Sequence, residues 1–357
     1  MAATGGGAGG GGGSGLLPFP SGSATVSDKL VWDVWMSQHH LTVTTVALNL
    51  GLFDWLHGKR AAGGATATEV AAGLSTGPRS TEAVLAVLGG LGFLRCCGGK
   101  FTLTEEARNF LLKDSPFFWG HMLQGDKSGD AYTRLLKAVE NDRPSAGAWK
   151  EWQDGELSDE RAAFLTAEMH SHSLTAAFGV GAAVDFSGVT RFLDVAGGSG
   201  VFTFAVCRAN EGVSGTVLEL PAVCRLVEGK YRPADLAERV DTTSLNMFTE
   251  DWPEGYQVHF FSNIFHDWSR EQCVGLARSS FKALPSGGRI MLHEMLLNDA
   301  KDGGLTAACF SIHMLIHTPG KQYSLEDLRS ILGEAGFVDV KAQATHPYYS
   351  IVTGTKP

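Results

Sequence analysis

The stretch Phe192-Leu-Asp194-Val-Ala196-Gly197-Gly198-Ser-Gly200 decides the fold. An apolar run carrying one acid enters a glycine turn, and Val201 to Ala209 continues as a helix. Strand, glycine turn and helix in that order bring backbone close to a ligand and aim helix N–H groups at it. A nicotinamide-type G-x-G-x-x-G needs glycine at 198, 200 and 203; position 203 is Thr, which disfavours a nicotinamide reductase. The next strand, Thr216-Val-Leu-Glu219-Leu-Pro221, ends in an acid about twenty residues after the loop, placed to accept both hydroxyls of a ribose.

Outward from this loop, strands are read at Arg191–Ala196, Gly215–Leu220, Val240–Leu245, Val258–Asn263, Arg289–Met295, Val338–Ala344 and Tyr349–Thr353. Helices fill the gaps, and several strands are continuous apolar runs, as in a parallel sheet covered on both faces. The expected fold class is α/β, with a doubly wound domain over residues 126–357. Upstream, residues 28–125 read as a helical domain. Thr68–Gly73 and Ser80–Leu94 are helical, Phe93–Leu103 folds as a hairpin around Gly98-Gly99, and Thr104 caps a closing helix. Helix, helix, wing is the winged-helix pattern. Its segment Ser80–Leu94 has one acid and no Lys or Arg, so it packs rather than reads phosphates. A non-catalytic winged-helix regulator or scaffold is the reading from another class, and the missing basic face weighs against it. Residues 1–27, with nine glycines in the first fifteen, bury too little apolar surface to offset their ordering entropy and are expected to be a disordered tail.

The chain has 357 residues, with 29 Lys+Arg against 38 Asp+Glu and a formal charge of −9, a poor balance for nucleic-acid binding. No apolar run approaches the ~18 residues of a membrane span. The first basic residue is Lys29, so neither a secretion signal nor a typical transit peptide is read, and a cytoplasmic location is expected. Cys96, Cys97, Cys207, Cys224, Cys273 and Cys309 lack CxxC spacing and form neither a zinc knuckle nor a disulfide framework. His313 and His317 are spaced i, i+4 without the Glu of H-E-x-x-H, so no metal site is predicted; they line an acceptor pocket or pack.

Three further segments follow in order: Ser262-Asn-Ile-Phe-His266-Asp267-Trp268-Ser269, Ala283-Leu-Pro-Ser-Gly-Gly-Arg-Ile290 and His293-Glu294-Met-Leu-Leu297. Together with the glycine loop and Leu218-Glu-Leu-Pro221, they resemble the S-adenosylmethionine-dependent small-molecule O-methyltransferases, which include the caffeic-acid and acetylserotonin enzymes. The likeness covers residues 160–357 with specific motifs and residues 28–120 more loosely. It implies a Rossmann-like methyltransferase domain, a winged-helix-like dimerisation domain, a homodimer, S-adenosylmethionine as cofactor and a small-molecule methyl acceptor. Cofactor contacts fall on Asp194, Gly197, Gly198, Gly200, Glu219, Asn246, Met247 and Ser262. The catalytic base falls on His266, its carboxylate partner on Glu294 and a second partner on Gln322.

The chain departs from the family pattern at several of these positions. Ala196 replaces the loop's first glycine, Glu219 and Asn246 replace aspartates, and Ser262 stands where plant members often have Lys. Gly320-Lys-Gln322-Tyr-Ser324 replaces Gly-Lys-Glu-Arg-Thr, so an amide stands for a carboxylate beside the base.

A hydroxyl acceptor needs a base, and imidazole, with a reference pKa of about 6.5, suits that task near neutrality. A thioether carries no proton and needs none. The alternative is therefore S-methylation of a thioether acid such as 4-methylthio-2-hydroxybutyrate, on the route to dimethylsulfoniopropionate, with Arg134 or Lys321 gripping its carboxylate. The hydroxyl acceptor is favoured because His266 and Glu294 are both present. Trp32 and Trp35 are expected at a dimer interface, Met169, Phe178 and Trp119 in the core, one of His170 and His172 toward the pocket, and Cys96-Cys97 buried at the wing's edge.

Overall fold

A computed structural model describes residues 19–123, 129–145 and 149–357. The first helices are α1 (Lys29–Asn49), α2 (Leu52–Gly58), α3 (Ala67–Leu74) and α4 (Pro78–Gly90). Thr66 and Glu69 close a capping box on α3, and Pro78 opens α4 where its missing N–H leaves nothing unpaired. Strands β1 (Leu94–Cys97) and β2 (Lys100–Leu103) form the wing. Gly98 and Gly99 make its two-residue turn with φ of 58° and 75°, conformations that glycine adopts without a Cβ clash. Helices α5 (Glu105–Phe110), α6 (Gly120–Leu123), α7 (Asp130–Asn141), α8 (Trp149–Asp154) and the long α9 (Asp159–Ala183) lead into the sheet.

The alternating half runs β3 (Arg191–Val195), α10 (Val201–Ala209), β4 (Ser214–Glu219), α11 (Pro221–Leu226), β5 (Val240–Ser244), β6 (Val258–Ser262), α12 (Arg270–Ala283), β7 (Arg289–Met295), α13 (Leu305–His317), α14 (Leu325–Ala335), β8 (Val338–His346) and β9 (Tyr349–Thr355). The strands lie in the order β5-β4-β3-β6-β7-β9-β8, parallel except for β9, which is antiparallel to both neighbours. The predicted strands are all present, and the doubly wound α/β class holds. Order reverses between β3 and β6, so the loops leaving their carboxyl ends diverge and open a crevice there.

Both halves contribute to one apolar core: Trp32 and Met36 of α1 and Leu85 and Leu88 of α4 join Phe310 and Ile312 of α13 and Phe192 and Phe260 of the sheet. Polar bonds across the seam add to it, with Arg79 donating to the carbonyls of Thr318 (2.9 Å) and Gly320 (2.6 Å).

Of the glycine-rich tail, residues 1–18 lie outside the described residues. Its end is anchored rather than free. Phe19 stacks on Phe178 at 5.4 Å, and Arg208 donates to the Pro20 carbonyl at 2.7 Å. Cys97 is exposed rather than buried, and Trp119 and Met169 are 58% and 41% exposed rather than core. All six cysteines are free thiols.

Candidate active site

The crevice at the switch point opens into a cavity of roughly 140 Å³, lined by the glycine loop, the ends of β4 and β6, and one broad face of α9. Asp194 is fully buried at the end of β3. Its Oδ2 accepts from Thr203 Oγ1 at 2.7 Å, while Oδ1 has no partner among the described residues. Burial raises its pKa to about 7 against the Thr203 bond, with the Glu219 charge adding to the rise. Glu219 is likewise raised to about 7 by burial, opposed by the Leu220 and Gly198 N–H groups that donate to it at 2.8 and 3.1 Å. The sequence pattern assigned Glu219 to a ribose; the structure adds that its longer side chain also ties the glycine loop to β4. Gly197 is required, since a Cβ there sits 2.6 Å from the Asp194 carboxyl carbon. Ala196 adopts a left-handed backbone, at φ 55°, a strain of roughly 1 kcal/mol that glycine would not carry.

Asn246 is engaged at both ends of its amide. Nδ2 donates to the Gln153 carbonyl at 3.0 Å and Oδ1 accepts from Phe248 N at 2.9 Å. It therefore fastens α8 over the rim, and one remaining lone pair on Oδ1 faces any further donor. Met247 and Ser262 line the same cavity, with Ser262 Oγ 2.9 Å from His293 Nδ1. The cradle fits the sulfonium nucleoside: an orphaned buried carboxyl oxygen, a second acid beside it, and a glycine loop with no side chains in the way.

His266 lies on a single helical turn, Phe265–Asp267, just past β6, and is 4% exposed. Glu294 at the end of β7 and Gln322 ahead of α14 converge on one ring nitrogen. Nδ1 is 3.1 Å from Glu294 Oε2 and 2.9 Å from the Gln322 amide. Glu294 is itself fixed by the N–H groups of Ile264 and Phe265, at 3.1 and 2.9 Å on its other oxygen. With Nδ1 protonated, Glu294 Oε2, otherwise buried without a hydrogen-bond partner among the described residues, gains one. The two ends of the amide are nearly isosteric, so Gln322 meets that proton best with its carbonyl, the oxygen otherwise buried without a partner. Nε2 is then the basic nitrogen, with Asp267 Oδ1 3.8 Å away. Burial alone lowers the pKa of His266, but Glu294 and Asp267 outweigh it and the net shift is upward. Asp267 rises to about 6 by burial, against the pull of His266. By sequence Asp267 had no assigned role in the site; an acid adjoining His266 in the chain was the available signal.

The backbone around the base is tightly stacked. Gly320 donates to the Asp267 carbonyl at 3.1 Å, and a Cβ on it would lie 2.0 Å from the His266 carbonyl oxygen.

Behind His266 the packing is aromatic. Phe310 of α13 meets its ring edge-on at 5.1 Å, and Trp32 of α1 packs on Phe310 at 5.5 Å and on His172 at 5.7 Å. Trp32 thus belongs to the core behind His266 rather than to a subunit face; Trp35 is 36% exposed and packs on His313 at 5.4 Å. His313 and His317, 4.5 Å apart, face α1, where His39 lies 6.0 Å from His313. Both His170 and His172 line the cavity, where only one was expected. Two positions apart is about 200° around a helix, and the face that α9 presents is wide enough to hold one histidine at each edge. Lys321 is committed to Glu82 at 2.6 Å and Arg134 to Asp130 at 2.7 Å, so both cations read as carboxylate grips are already paired. No helix among the described residues is long and apolar enough to cross a membrane.

Comparison with known proteins agrees with this architecture. Residues 132–338 match the O-methyltransferase domain and residues 38–113 the O-methyltransferase dimerisation domain. The chain is 32% identical to 3-hydroxy-5-methyl-1-naphthoate 3-O-methyltransferase of Streptomyces sahachiroi, over 92% of this chain and 93% of that one. It is 28% identical to acetylserotonin O-methyltransferase of Bos taurus, over 88% and 93%. In fold it superposes on an O-methyltransferase family 2 protein of Planctomyces limnophilus, solved with apigenin, with TM-score 0.83 and 23% identity over 94% of this chain and 98% of that one. A helical dimerisation domain, a methyltransferase sheet and a cradle shaped for S-adenosylmethionine in one chain lead to one assignment: the protein belongs to the O-methyltransferase family and is an S-adenosylmethionine-dependent methyltransferase.

Proposed function

We propose that this protein methylates a hydroxyl group on an aromatic small molecule, with His266 as general base. The observation that carries the reading is the convergence of Glu294 and Gln322 on Nδ1 of His266, which leaves Nε2 as the basic nitrogen beneath an aromatic wall. When bound, the cofactor supplies an electrophilic methyl group on a sulfonium. Asp194, Gly197, Gly198, Gly200, Glu219, Asn246, Met247 and Ser262 form its cradle. His266 Nε2 takes the hydroxyl proton as the oxygen gains its methyl, and Glu294 stabilises the imidazolium that results. Phe310, edge-on to the His266 ring, and Trp32 packed behind it form an apolar backing that keeps water from the imidazole. The naphthoate and acetylserotonin activities of the two relatives are of this chemistry.

S-methylation of a thioether acid is the second reading, favoured by one observation: an amide, Gln322, where the family has a carboxylate. The pairing of Lys321 with Glu82 weakens it by removing the cation for the substrate's acid group. We further assign residues 28–125 to dimerisation and 126–357 to methyl transfer. The exposed apolar residues Leu30, Val31, Val34 and Leu41 of α1 support a homodimer, and the free thiols support a reducing, cytoplasmic location.

Incubation with methyl-deuterated S-adenosylmethionine and a matched panel of phenols and thioether acids, followed by mass spectrometry, tests the choice. Labelled methyl ethers are the expected product. Labelled sulfonium products with no ethers would overturn the hydroxyl reading.

A further inference from the structure

The cradle holds acids but no cation. Among the described residues lining the cavity there is no Lys or Arg, although the amino-acid end of S-adenosylmethionine brings a carboxylate. The strand-end position where plant relatives often carry Lys is Ser262, whose hydroxyl is occupied by His293. Two imidazoles remain, and they differ. His172 is packed against Trp32 at 5.7 Å and Trp35 at 6.4 Å, on the acceptor side. His170 belongs to the glycine loop's side: its Nδ1 is 2.8 Å from Ser199 Oγ, and its Nε2 makes no hydrogen bond to any described residue.

We infer that His170, oriented by Ser199, is the charge partner of the cofactor's carboxylate. The inference rests on the cofactor reading above. Glu219 and Asn246 draw the nucleoside toward β4 and β5, which leaves the amino-acid end at the loop that Ser199 belongs to. Ser199 suits both protonation states, since a hydroxyl accepts from or donates to Nδ1 by rotating. The groups facing His170 are Ser199 from the loop and Lys230 and Tyr231 from the segment after α11, the Tyr231 ring 5.0 Å away. Burial and the Lys230 charge hold this imidazole below its ordinary pKa, hence largely neutral at pH 7. An incoming carboxylate favours the charged form, so binding draws a proton onto the ring.

The test uses the full chain and two probes, S-adenosylhomocysteine and 5′-methylthioadenosine, which lacks the amino-acid end. Calorimetric titrations at pH 7 run in buffers of different ionisation enthalpy, on wild type and His170→Asn, with thermal melts to confirm folding. His170→Asn is expected to weaken S-adenosylhomocysteine by about 10–100-fold, leave methylthioadenosine within about twofold, and lower the proton uptake that accompanies binding. The difference between the two proteins is read, because Asp194 and Glu219 titrate in the same range. Equal S-adenosylhomocysteine affinity, equal proton uptake, or parallel weakening of both probes would overturn the inference. Wild type that binds neither nucleoside would overturn the cofactor reading with it.

Discussion

On the cofactor side of the cleft the buried titratable groups include two acids, Asp194 and Glu219, each raised to about 7, beside the imidazole of His170, which burial lowers. On the acceptor side they are imidazoles, His39 and His172 lowered to about 4 and His313 to about 3. One cause drives both shifts, because burial disfavours whichever form is charged. Burial therefore pushes both walls toward their uncharged forms by opposite routes. His266, between them, is the exception: two carboxylates push its pKa up despite burial, so it is the imidazole equipped to hold a proton.

The largest effect that would break this contrast comes from the boundary. Glu294→Ala removes the partner of His266 and leaves the Ile264 and Phe265 N–H groups without an acceptor. Stability should fall by about 2–4 kcal/mol in urea melts and turnover by about 100-fold or more. Unchanged values in both would mean that Glu294 neither holds nor tunes the base.

The pH dependence of stability separates the walls themselves. Asp194 and Glu219 bind protons more tightly folded than unfolded, so their stabilisation is complete below about pH 4 and is lost as pH rises through about 7. His39 and His313 bind protons less tightly folded, so theirs is complete above about pH 6.5 and is lost as pH falls toward 4 and 3. Thermal melts of the ligand-free protein should therefore decline on both sides of mildly acidic pH. Asp194→Asn should flatten the upper limb and His313→Phe the lower. If each variant flattened the other's limb, the assignment of the walls would be reversed.

The smallest effect sharpens the boundary. Gln322→Glu returns a carboxylate to Nδ1, raising the His266 pKa further and moving the acid limb of kcat/KM upward by about one unit or less. A shift downward would mean that the amide does not face the ring.

The same contrast explains what was legible in the sequence. The cofactor wall is written in contiguous strings, Asp194 through Gly200 and Leu218-Glu219, because a strand, a turn and a helix N-terminus must follow one another to make it. Gln322 was legible for the same reason, inside a five-residue motif. The acceptor wall draws Trp32, His172 and Phe310 from α1, α9 and α13, each more than a hundred residues from the next. No spacing rule links them, so Trp32 read as an interface residue and His313 as ambiguous. Charges misled in a related way: Lys321 looked free until the fold brought Glu82 of α4 beside it. Asn246 read as a ligand contact, and the fold adds that its amide also holds α8.

The most direct test of the central claim is the single-turnover rate of methyl transfer to a phenolic acceptor by His266→Ala, with cofactor affinity measured in parallel. A fall of about 100-fold or more, with S-adenosylmethionine binding within about twofold of wild type, is the predicted result. An unchanged transfer rate at the same affinity would contradict it.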